Sequence, residues 1–462
     1  MLRRKFEKNI EEFLTMEKSK ILLVNGARQI GKSFLIRYVG KKLFKNYVEI
    51  NLKEDSESVR IFEKVRSTQD FYMQLGIIAG KKLGKKEDTL VFLDEIQSYP
   101  HLFTMLKFLN QESRYTYVAS GSQLGVALSQ TASVPIGSIE IQEMYPLDFE
   151  EFLWAMGCGE EAIGSMRQYF WDCKPLQDSL HEFMLKQFKT YLLVGGLPEA
   201  INVFLSTRNI AAVRKVQTTI QNLYRIDASQ YDEANKLVIR RIYDLIPSNL
   251  ENKKKRVVVK NIEETKGHKQ FSDYANEFEY LIHSGIALSV QSISDPRFPL
   301  LASVRKNLLK LYINDVGLLT NILYGNNVNA ILQDEKSVNL GTVYESVVAQ
   351  ELQAHGHKLY YYDNKKKGEV DFLVDDYNTL SILPLEIKSG KDYRSHRSLD
   401  KFLAESHYDI RRAIVFSNER DVSEKNSVVY MPVYYAMVLG QPDEADSQLL
   451  FEPVLPPVLT QE

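Results

Sequence analysis

The sequence has little cysteine and no excess of charge of either sign. Cys158 and Cys173 are its two cysteines, and they lie 15 residues apart. Two cysteines alone cannot form a zinc site, and a disulfide is unusual in a long chain of enzyme-like composition. Lys and Arg number 58 against 60 Asp and Glu. We therefore expect reduced thiols in the cytoplasm, and the overall charge argues neither for nor against a nucleic-acid partner.

A long apolar run is also missing. The longest stretch without a charged residue, 115–139, is rich in Ser, Thr, Gly and Gln and contains Pro135, which makes it a poor membrane span. The N-terminus is charged and lacks the apolar segment of a signal peptide. A membrane is therefore not an expected partner. With 462 residues, 44% of them hydrophobic and 26% charged, the chain is expected to form a globular protein of roughly two to four domains.

Short apolar strands alternate with helical segments over the first 150 residues. Strands are predicted at Ile21–Asn25, Tyr47–Asn51, Leu90–Leu93 and Tyr115–Ser120. This alternation is typical of a parallel sheet with helices packed on its faces. The sequence therefore predicts an α/β fold for this part of the chain.

A glycine-containing loop follows the first of these strands. Residues 26–33 fit the phosphate-loop pattern in full, and a helix continues over 34–39. Glycines allow the tight turn that points backbone N–H groups at phosphates, and the start of the helix adds the positive end of its dipole. Lys32 is expected to reach the β- and γ-phosphates, and Ser33 to coordinate Mg²⁺. The residues predicted to bind ATP in this loop are Gly26, Ala27, Arg28, Gln29, Ile30, Gly31, Lys32 and Ser33.

Two acids end the third predicted strand, about 60 residues further on. Asp94 should emerge at the carboxyl end of this strand beside the magnesium ion, and Glu95 could orient or activate the attacking water. A buried strand that happens to end in two acids is the alternative interpretation. On the next strand Ser120, with Ser122 as the alternative, is predicted to hold the water or to sense the γ-phosphate, although a simple turn explains these serines equally well.

A second group of acids lies near the C-terminus. Glu345 falls on a predicted helix, and Asp371 and Glu386 fall on two consecutive predicted strands. The alternation of a strand puts Glu386 and Lys388 on one face. In a hairpin of these strands, Asp371 and Glu386 would converge on one Mg²⁺, Glu345 would reach it from the helix, and Lys388 would position water or stabilise charge on a phosphodiester. The elements predicted here are the helix Val343–Ala354 and the strands Leu359–Asp363, Glu369–Val374 and Leu383–Lys388.

Five stretches together resemble one group of prokaryotic AAA+-type ATPases: 25–33, 93–97, 145–152, 195–198 and 310–318. The resemblance implies an AAA+ core with a helical lid, then a winged-helix segment and a C-terminal domain that resembles restriction endonucleases. The residues around Asp371 and Glu386 are likewise similar to the PD-(D/E)XK nuclease pattern. This group often has Gly-Arg shortly before the Pro-Leu segment, where this chain has Gly137-Ser138. An arginine that contacts a neighbouring nucleotide is therefore not expected at that position.

Within residues 235–300, helical patterns followed by a strand at Ile286–Ile293 also suggest a winged helix. Its helices are predicted at 237–249, 257–265 and 270–284, and the basic connector Lys253–Arg256 either grips DNA or is a solvated linker. The predicted division of the chain is an ATPase core at 1–168, a helical lid at 169–234, a winged-helix-like segment at 235–300, a nuclease-like domain at 301–440 and a tail at 441–462.

Two functions are compatible with these patterns. The first is a Mg²⁺-dependent ATPase whose nucleotide state repositions a DNA-directed, nuclease-like C-terminal half. The second is a nucleotide-dependent switch or interaction protein in which the nuclease-like domain is catalytically inactive. Both need ATP and Mg²⁺, and only the first needs DNA as a partner. Because many AAA+ proteins form rings, a homo-oligomer is a further expectation from the resemblance.

Overall fold

The computed structural model describes residues 1–16, 19–122, 124–129, 137–230, 236–252, 255–262, 269–335 and 338–440. Two sheets, one of five strands and one of eight, organise these residues. None of the helices in these ranges combines the length and the apolar character needed to cross a bilayer. The predicted tail at 441–462 lies outside the described residues.

The first sheet is parallel, and its strand order is β2-β3-β4-β1-β5. Its strands are β1 (Ile21–Asn25), β2 (Asn46–Asn51), β3 (Thr89–Asp94), β4 (Thr116–Gly121) and β5 (Ile139–Glu143). Every residue of β1 and β3 is buried, as expected for inner strands with helices on both faces. The helices around this sheet are α1 (Phe6–Met16), α2 (Lys32–Leu43), α3 (Leu52–Glu57), α4 (Thr68–Ala79), α5 (His101–Glu112), α6 (Leu124–Ser129) and α7 (Phe149–Ala155). The α/β prediction and all four predicted strands are confirmed.

One strand of this sheet was not predicted. β5 lies at the edge of the sheet, and three of its five residues are Glu or Gln. A strand at the edge of a sheet pairs with a neighbour on one side only and often has polar side chains. β5 therefore lacks the apolar run by which the other strands were predicted. β5 begins directly after the position of the missing arginine, where Ser138 is buried and its carbonyl accepts a hydrogen bond from Ile21 N at 2.9 Å.

Helices dominate the middle of the chain. They are α8 (Glu160–Trp171), α9 (Asp178–Val194), α10 (Pro198–Thr207), α11 (Ile210–Gln230), α12 (Lys236–Glu251) and α13 (Ala275–His283). The helix predicted over 257–265 is wrong for the described part, which has only a short 3₁₀ turn at Val259–Asn261. The physical reason is a run of three β-branched valines, which favours extended backbone. Val257 N accordingly donates to Leu309 O at 3.1 Å, beside the second sheet.

The second sheet is mixed, with the strand order β12-β13-β11-β10-β9-β8-β6-β7. Its strands are β6 (Ala287–Ile293), β7 (Val304–Ile313), β8 (Tyr360–Asn364), β9 (Gly368–Asp376), β10 (Ser381–Ile387), β11 (Ala413–Ser417), β12 (Ser423–Lys425) and β13 (Val428–Pro432). Helices of this half are α14 (Val316–Tyr324), α15 (Asn329–Leu332), α16 (Leu340–Ala354) and α17 (Arg397–Leu403). The three strands and the helix predicted around the acidic residues are therefore present.

The two sheets are connected through a shared interior. One contiguous cluster of buried apolar side chains includes Leu22 of β1, Tyr224 of α11 and Leu385 of β10. β6 and β7 form an antiparallel pair, and β6 also pairs with β8. The predicted boundary at residue 300 therefore falls between two strands of one sheet, while the other domain boundaries stay predictions.

Candidate functional site

The loop after β1 adopts a conformation that requires glycine at two positions. Gly26 has φ 147° and Gly31, immediately before α2, has φ 95°. Both values lie in the region that favours glycine. A Cβ on Gly26 would also collide with the carbonyl oxygen of Met144, since Met144 N donates to Asn25 O at 2.8 Å. The sequence of the loop thus fixes a tight turn against the chain that follows β5.

Lys32 lies inside this loop. Its side chain is buried, and Nζ donates to the carbonyl oxygens of Gly26 and Ala27, both at 2.8 Å. Burial lowers the pKa of Lys32 to about 8, against the opposing charges of Glu95 and Asp94. The ammonium group is therefore held by neutral carbonyls rather than by a direct ion pair, which leaves its charge available for an anion.

Asp94 joins three neighbouring elements at the carboxyl ends of the strands. It is the last residue of β3, and β4 lies between β3 and β1. The Ser120 hydroxyl of β4 and Glu95 N both donate to Asp94 Oδ1, and the Ser33 hydroxyl of α2 lies near enough to the same carboxyl to lower its pKa. Burial raises the pKa of Asp94, and the two serine hydroxyls oppose that rise. The predicted magnesium ligands Ser33 and Asp94 are therefore near each other and line the same cleft.

Glu95 has a left-handed backbone, with φ 56°. Its carboxylate accepts a hydrogen bond from Gln97 Nε2 at 2.5 Å. The carboxamide of Gln97 lies so close to Gly121 that a Cβ there would collide with it. Sequence reasoning gave Gln97 no role, although its place two residues after Glu95 in a tight turn could have indicated one.

The two candidate serines have different contacts. Ser120 is fully buried behind Asp94. Ser122 Oγ lies 3.4 Å from both Gln97 Nε2 and Arg28 Nε. Ser120 is therefore placed to orient Asp94, whereas Ser122 contacts Gln97 and Arg28, of which Arg28 borders a cleft.

A cleft of about 530 Å³ opens beside these groups. Its volume is in the range of small-molecule sites. It is lined by cations, by acids and by α2 residues, namely Arg28, Gln29, Gly31, Lys32, Ser33, Phe34, Asn51, Lys53, Glu54, Glu57, Asp94 and Glu95. Five of the eight predicted loop residues and the acids Asp94 and Glu95 therefore border one space.

Arg28 connects this cleft to a distant helix. Its Nη1 atom lies 2.7 Å from Asp227 Oδ1, and its carbonyl accepts a hydrogen bond from Tyr224 OH at 2.9 Å. Both partners belong to α11, about 200 residues along the chain. No local pattern in the sequence indicates these contacts.

Three of the stretches behind the family resemblance meet in the folded chain. Leu147 N donates to Gly196 O at 2.8 Å, and Gly196 N donates to Asp315 Oδ2 at 2.6 Å. Leu318 N also donates to Asp315, at 3.0 Å. Burial raises the pKa of Asp315 to about 6 despite these hydrogen bonds. Residues that are far apart in sequence thus form one buried set of hydrogen bonds between the N-terminal and C-terminal parts of the chain. We call such a set of contacts a joint.

A second joint starts at the N-terminus. Arg4 donates to the carbonyls of Ile30, at 3.0 Å, and Tyr145, at 2.6 Å, and pairs with Glu151 at 3.1 Å. Phe149 N then donates to Glu351 Oε1 of α16 at 2.9 Å. The loop formed by residues 26–33, called the nucleotide loop below, is therefore linked by hydrogen bonds to the helix that contains Glu345.

The C-terminal acids come together as predicted. In the antiparallel pair β9–β10, Phe372 faces Leu385, and one further step of this register brings Asp371 opposite Glu386. Ile387 N donates to Asp371 Oδ2 at 2.9 Å. Glu345, Asp371 and Glu386 are all buried. We call Glu345, Asp371, Glu386 and Lys388 the acidic cluster.

Two lysines form ion pairs with carboxylates of the acidic cluster. Lys255 Nζ forms an ion pair with Glu345, and Lys388 Nζ lies 2.7 Å from Glu386 Oε1. Burial, followed by the charge of Asp371, raises the pKa of Glu345 to about 7 and that of Glu386 to about 8. The prediction that the run Lys253–Arg256 is a DNA grip or a solvated linker does not hold for Lys255, because its ammonium group pairs with a buried carboxylate. Lys253 and Lys254 lie outside the described residues.

Further charged groups border the acidic cluster. Lys310 of β7 is completely buried and pairs with Glu369, while Tyr312 OH lies 3.3 Å from Glu345 Oε2. A lysine within an apolar strand was a usable signal for Lys310, but nothing local pointed to Lys255. In the part of the chain that the structure describes, no set of three or more His, Cys, Asp and Glu side chains is spaced to hold a metal ion. The predicted metal site stays a prediction.

Comparison with protein families assigns the N-terminal part. Residues 18–153 match the model described as an AAA domain. Residues 185–329 and 340–435 match two models described as domains of unknown function, DUF8612 and DUF4143. The N-terminal part is therefore similar to an AAA domain. Neither of the other two descriptions states a function.

Solved structures with a similar chain course include the Walker-type ATPase PAby2304 of Pyrococcus abyssi, at 14% identity and a TM-score of 0.42 over 69% of this chain and 95% of that one. Another is the RuvB Holliday junction branch migration motor of Thermotoga maritima, at 15% identity and a TM-score of 0.30 over 65% and 91%. Both likenesses are too low to bear on function. Among curated proteins the sequence finds no match.

Proposed function

We propose that the chain binds and hydrolyses ATP with Mg²⁺ in the cleft beside the loop 26–33. The observation behind this proposal is that Ser33 and Asp94 line one cleft, with Asp94 hydrogen-bonded to Ser120, next to a buried Lys32 held by neutral carbonyls. Hydroxyl and carboxylate oxygens are the donors that Mg²⁺ prefers. Ser33 and Asp94 would hold the ion, which would neutralise charge on the phosphates. Lys32 would turn from the loop carbonyls to the β- and γ-phosphates.

Glu95 is the proposed base for the attacking water. It borders the cleft at the end of β3, and Gln97 holds its carboxylate through a 2.5 Å hydrogen bond. A base must approach the water in the right orientation, and this hydrogen bond restricts the carboxylate before the nucleotide arrives. Ser120 orients Asp94 in this scheme rather than contacting the water itself.

The nucleotide state would reach the C-terminal half through the two buried joints. One runs from Ile30 through Arg4 and the 145–152 segment to Glu351 of α16. The same helix contains Glu345, so a shift of the loop would act on the acidic cluster. Buried hydrogen bonds of this kind transmit displacement because breaking them leaves unpaired polar groups.

For the acidic cluster we propose a DNA-directed, nuclease-like role. Asp371 and Glu386 on adjacent strands, with Glu345 behind them, would bind Mg²⁺, and Lys388 would stabilise charge on a phosphodiester. The pairing of Lys255 with Glu345 favours the other candidate, a catalytically inactive module that binds partners. In that case lysine replaces the metal as the neutralising charge.

ATP turnover with and without Mg²⁺ tests the first part, and adding DNA tests the coupling. Incubation with plasmid, linear and branched DNA plus Mg²⁺ or Mn²⁺ separates the two candidates for the acidic cluster. Cleavage that is lost in Asp371→Ala but kept in Glu424→Ala, an exposed carboxylate of β12, would support a nuclease. Absence of cleavage on every substrate, with and without ATP, would support the inactive module.

A further inference from the structure

We propose that Arg28 recognises the terminal phosphate of the bound nucleoside triphosphate, and that it does so by exchanging its partner Asp227 for that phosphate. This inference rests on the proposed nucleotide site. It assigns to Arg28 the discrimination between triphosphate and diphosphate, and it makes Asp227 the competitor that the γ-phosphate has to displace.

The position of Arg28 allows both partners. Its side chain is 25% exposed and borders the cleft together with Lys32 and Glu95, whereas Asp227 is 8% exposed. The 2.7 Å contact with Asp227 uses Nη1, and the longer contact with Ser122 uses Nε. A guanidinium group has five N–H donors, so it can approach a phosphate oxygen without a large movement of the backbone.

The charges around Asp227 make the exchange feasible. Burial raises the pKa of Asp227, and the positive charge of Arg28 is the largest opposing influence. Lys53 and Lys32, which both line the cleft, also stabilise the Asp227 carboxylate, with Lys53 the stronger of the two, whereas the negative charge of Glu95 opposes them. Asp227 therefore keeps favourable charges nearby when Arg28 turns away. A γ-phosphate carries more charge than one carboxylate and presents several oxygens, which favours it as the partner of a guanidinium.

The backbone of the loop stays fixed during such an exchange. Tyr224 OH still donates to Arg28 O, and Tyr280 OH donates to Asp227 O at 2.8 Å. Neither hydrogen bond depends on the Arg28 side chain. α11 would therefore register the presence of the γ-phosphate as the loss of one ion pair at Asp227 while remaining attached to the loop.

The signs of two substitutions separate phosphate recognition from simple anchoring. The quantity is the ratio of the dissociation constants for Mg-ADP and Mg-ATP, measured by calorimetry. Arg28→Ala removes the phosphate contact, so the ratio should fall about tenfold. Asp227→Asn removes the competing charge but keeps the shape, so the ratio should rise severalfold. Arg28→Lys keeps the charge without the fork of donors and should give an intermediate ratio.

Arg37→Ala is the matched control, because Arg37 forms a similar ion pair with Glu49 outside the residues that line the cleft. It should leave the ratio unchanged. If Arg28→Ala does not fold, as judged by circular dichroism, Asp227→Asn and Arg28→Lys decide the question. Equal changes in the affinities for ADP and ATP in these variants would overturn the inference. Failure of the parent chain to bind either nucleotide would contradict the proposed function, and this inference with it.

Discussion

The nucleotide loop and the acidic cluster both bury lysines and carboxylates, yet they neutralise them differently. In the loop, Lys32 donates to main-chain carbonyls, and the nearby Asp94 carboxyl accepts hydrogen bonds from Ser120 and from Glu95 N. In the acidic cluster, Lys255 and Lys388 pair directly with Glu345 and Glu386. The first arrangement keeps a positive charge free for an anionic ligand. The second balances its own charge, so a cation has to displace a lysine or join a set of partly protonated acids.

The largest effect that would sharpen this contrast is expected for Lys32→Ala. Loss of the free ammonium group removes the phosphate contact, and we expect ATP turnover to fall by about 100-fold or more. Phosphate release under saturating Mg-ATP is the measurement. Lys42→Ala is the control, because Lys42 lies on the same helix but pairs with Glu7 and Glu11 at the surface. Turnover within about twofold of the parent in Lys32→Ala would refute the role of this lysine.

Glu95→Gln should have the next largest effect. Without a base, turnover is expected to fall about 100-fold, while the affinity for ATP stays within a few-fold of the parent. The paired readouts are phosphate release and calorimetric binding. A normal rate in Glu95→Gln would mean that another group activates the water.

Lys255→Met probes the other side of the comparison. It leaves Glu345 buried without its ion-pair partner, which should cost about 3 kcal/mol of unfolding free energy at pH 8. The cost should be smaller at pH 5, because the pKa of Glu345 is already about 7 and the protonated acid needs no counter-charge. Denaturant unfolding at both pH values measures this. An equal cost at pH 5 and pH 8 would show that Lys255 contributes packing rather than charge.

The smallest effect is expected for the pH dependence of Asp371→Asn. Glu345 and Glu386 have pKa values of about 7 and 8 in the folded chain, above their ordinary value of 4.5. Between the ordinary pKa of 4.5 and the raised pKa values, the folded state therefore binds more protons than the unfolded chain. The free energy of unfolding should accordingly fall as the pH rises from 5 to 8. Asp371→Asn removes the charge that adds to both shifts, so the fall should be smaller by roughly 2–4 °C in Tm.

The control for this prediction is a residue outside the acidic cluster. The pKa of Glu351 is also raised to about 8, by burial and then by the charge of Asp148. It contributes to the same fall in stability but should be unaffected by Asp371→Asn. Identical melting curves for the parent and Asp371→Asn at every pH would contradict the account of the acidic cluster.

The nucleotide loop was predictable because its chemistry is local. The loop, its strand and its helix are contiguous, so glycine positions and an apolar run identify them from sequence alone. Asp94 was predicted as a magnesium ligand from its position at the end of another apolar strand, the third that the sequence predicts. Asp227 and Tyr224 were not predictable, because α11 approaches Arg28 only after about 200 residues of intervening chain have folded.

The acidic cluster was predictable only in part. Strand alternation and a hairpin predicted that Asp371 and Glu386 lie close together, and the register of β9 and β10 brings them to adjacent positions. The ion pair of Lys255 with Glu345 was not predicted, since a lysine in a basic run usually lies in solvent. The pairing of β6 with β8 was not predicted either, because neither strand's sequence indicates which distant strand it pairs with.

Calorimetric titration of the folded chain with Mg-ATP, beside Lys32→Ala, tests the central claim most directly. The account predicts saturable uptake of one nucleotide per chain by the parent and at least a tenfold weaker signal in Lys32→Ala. Equal affinity in the two proteins, or no uptake by a well-folded parent, would contradict it.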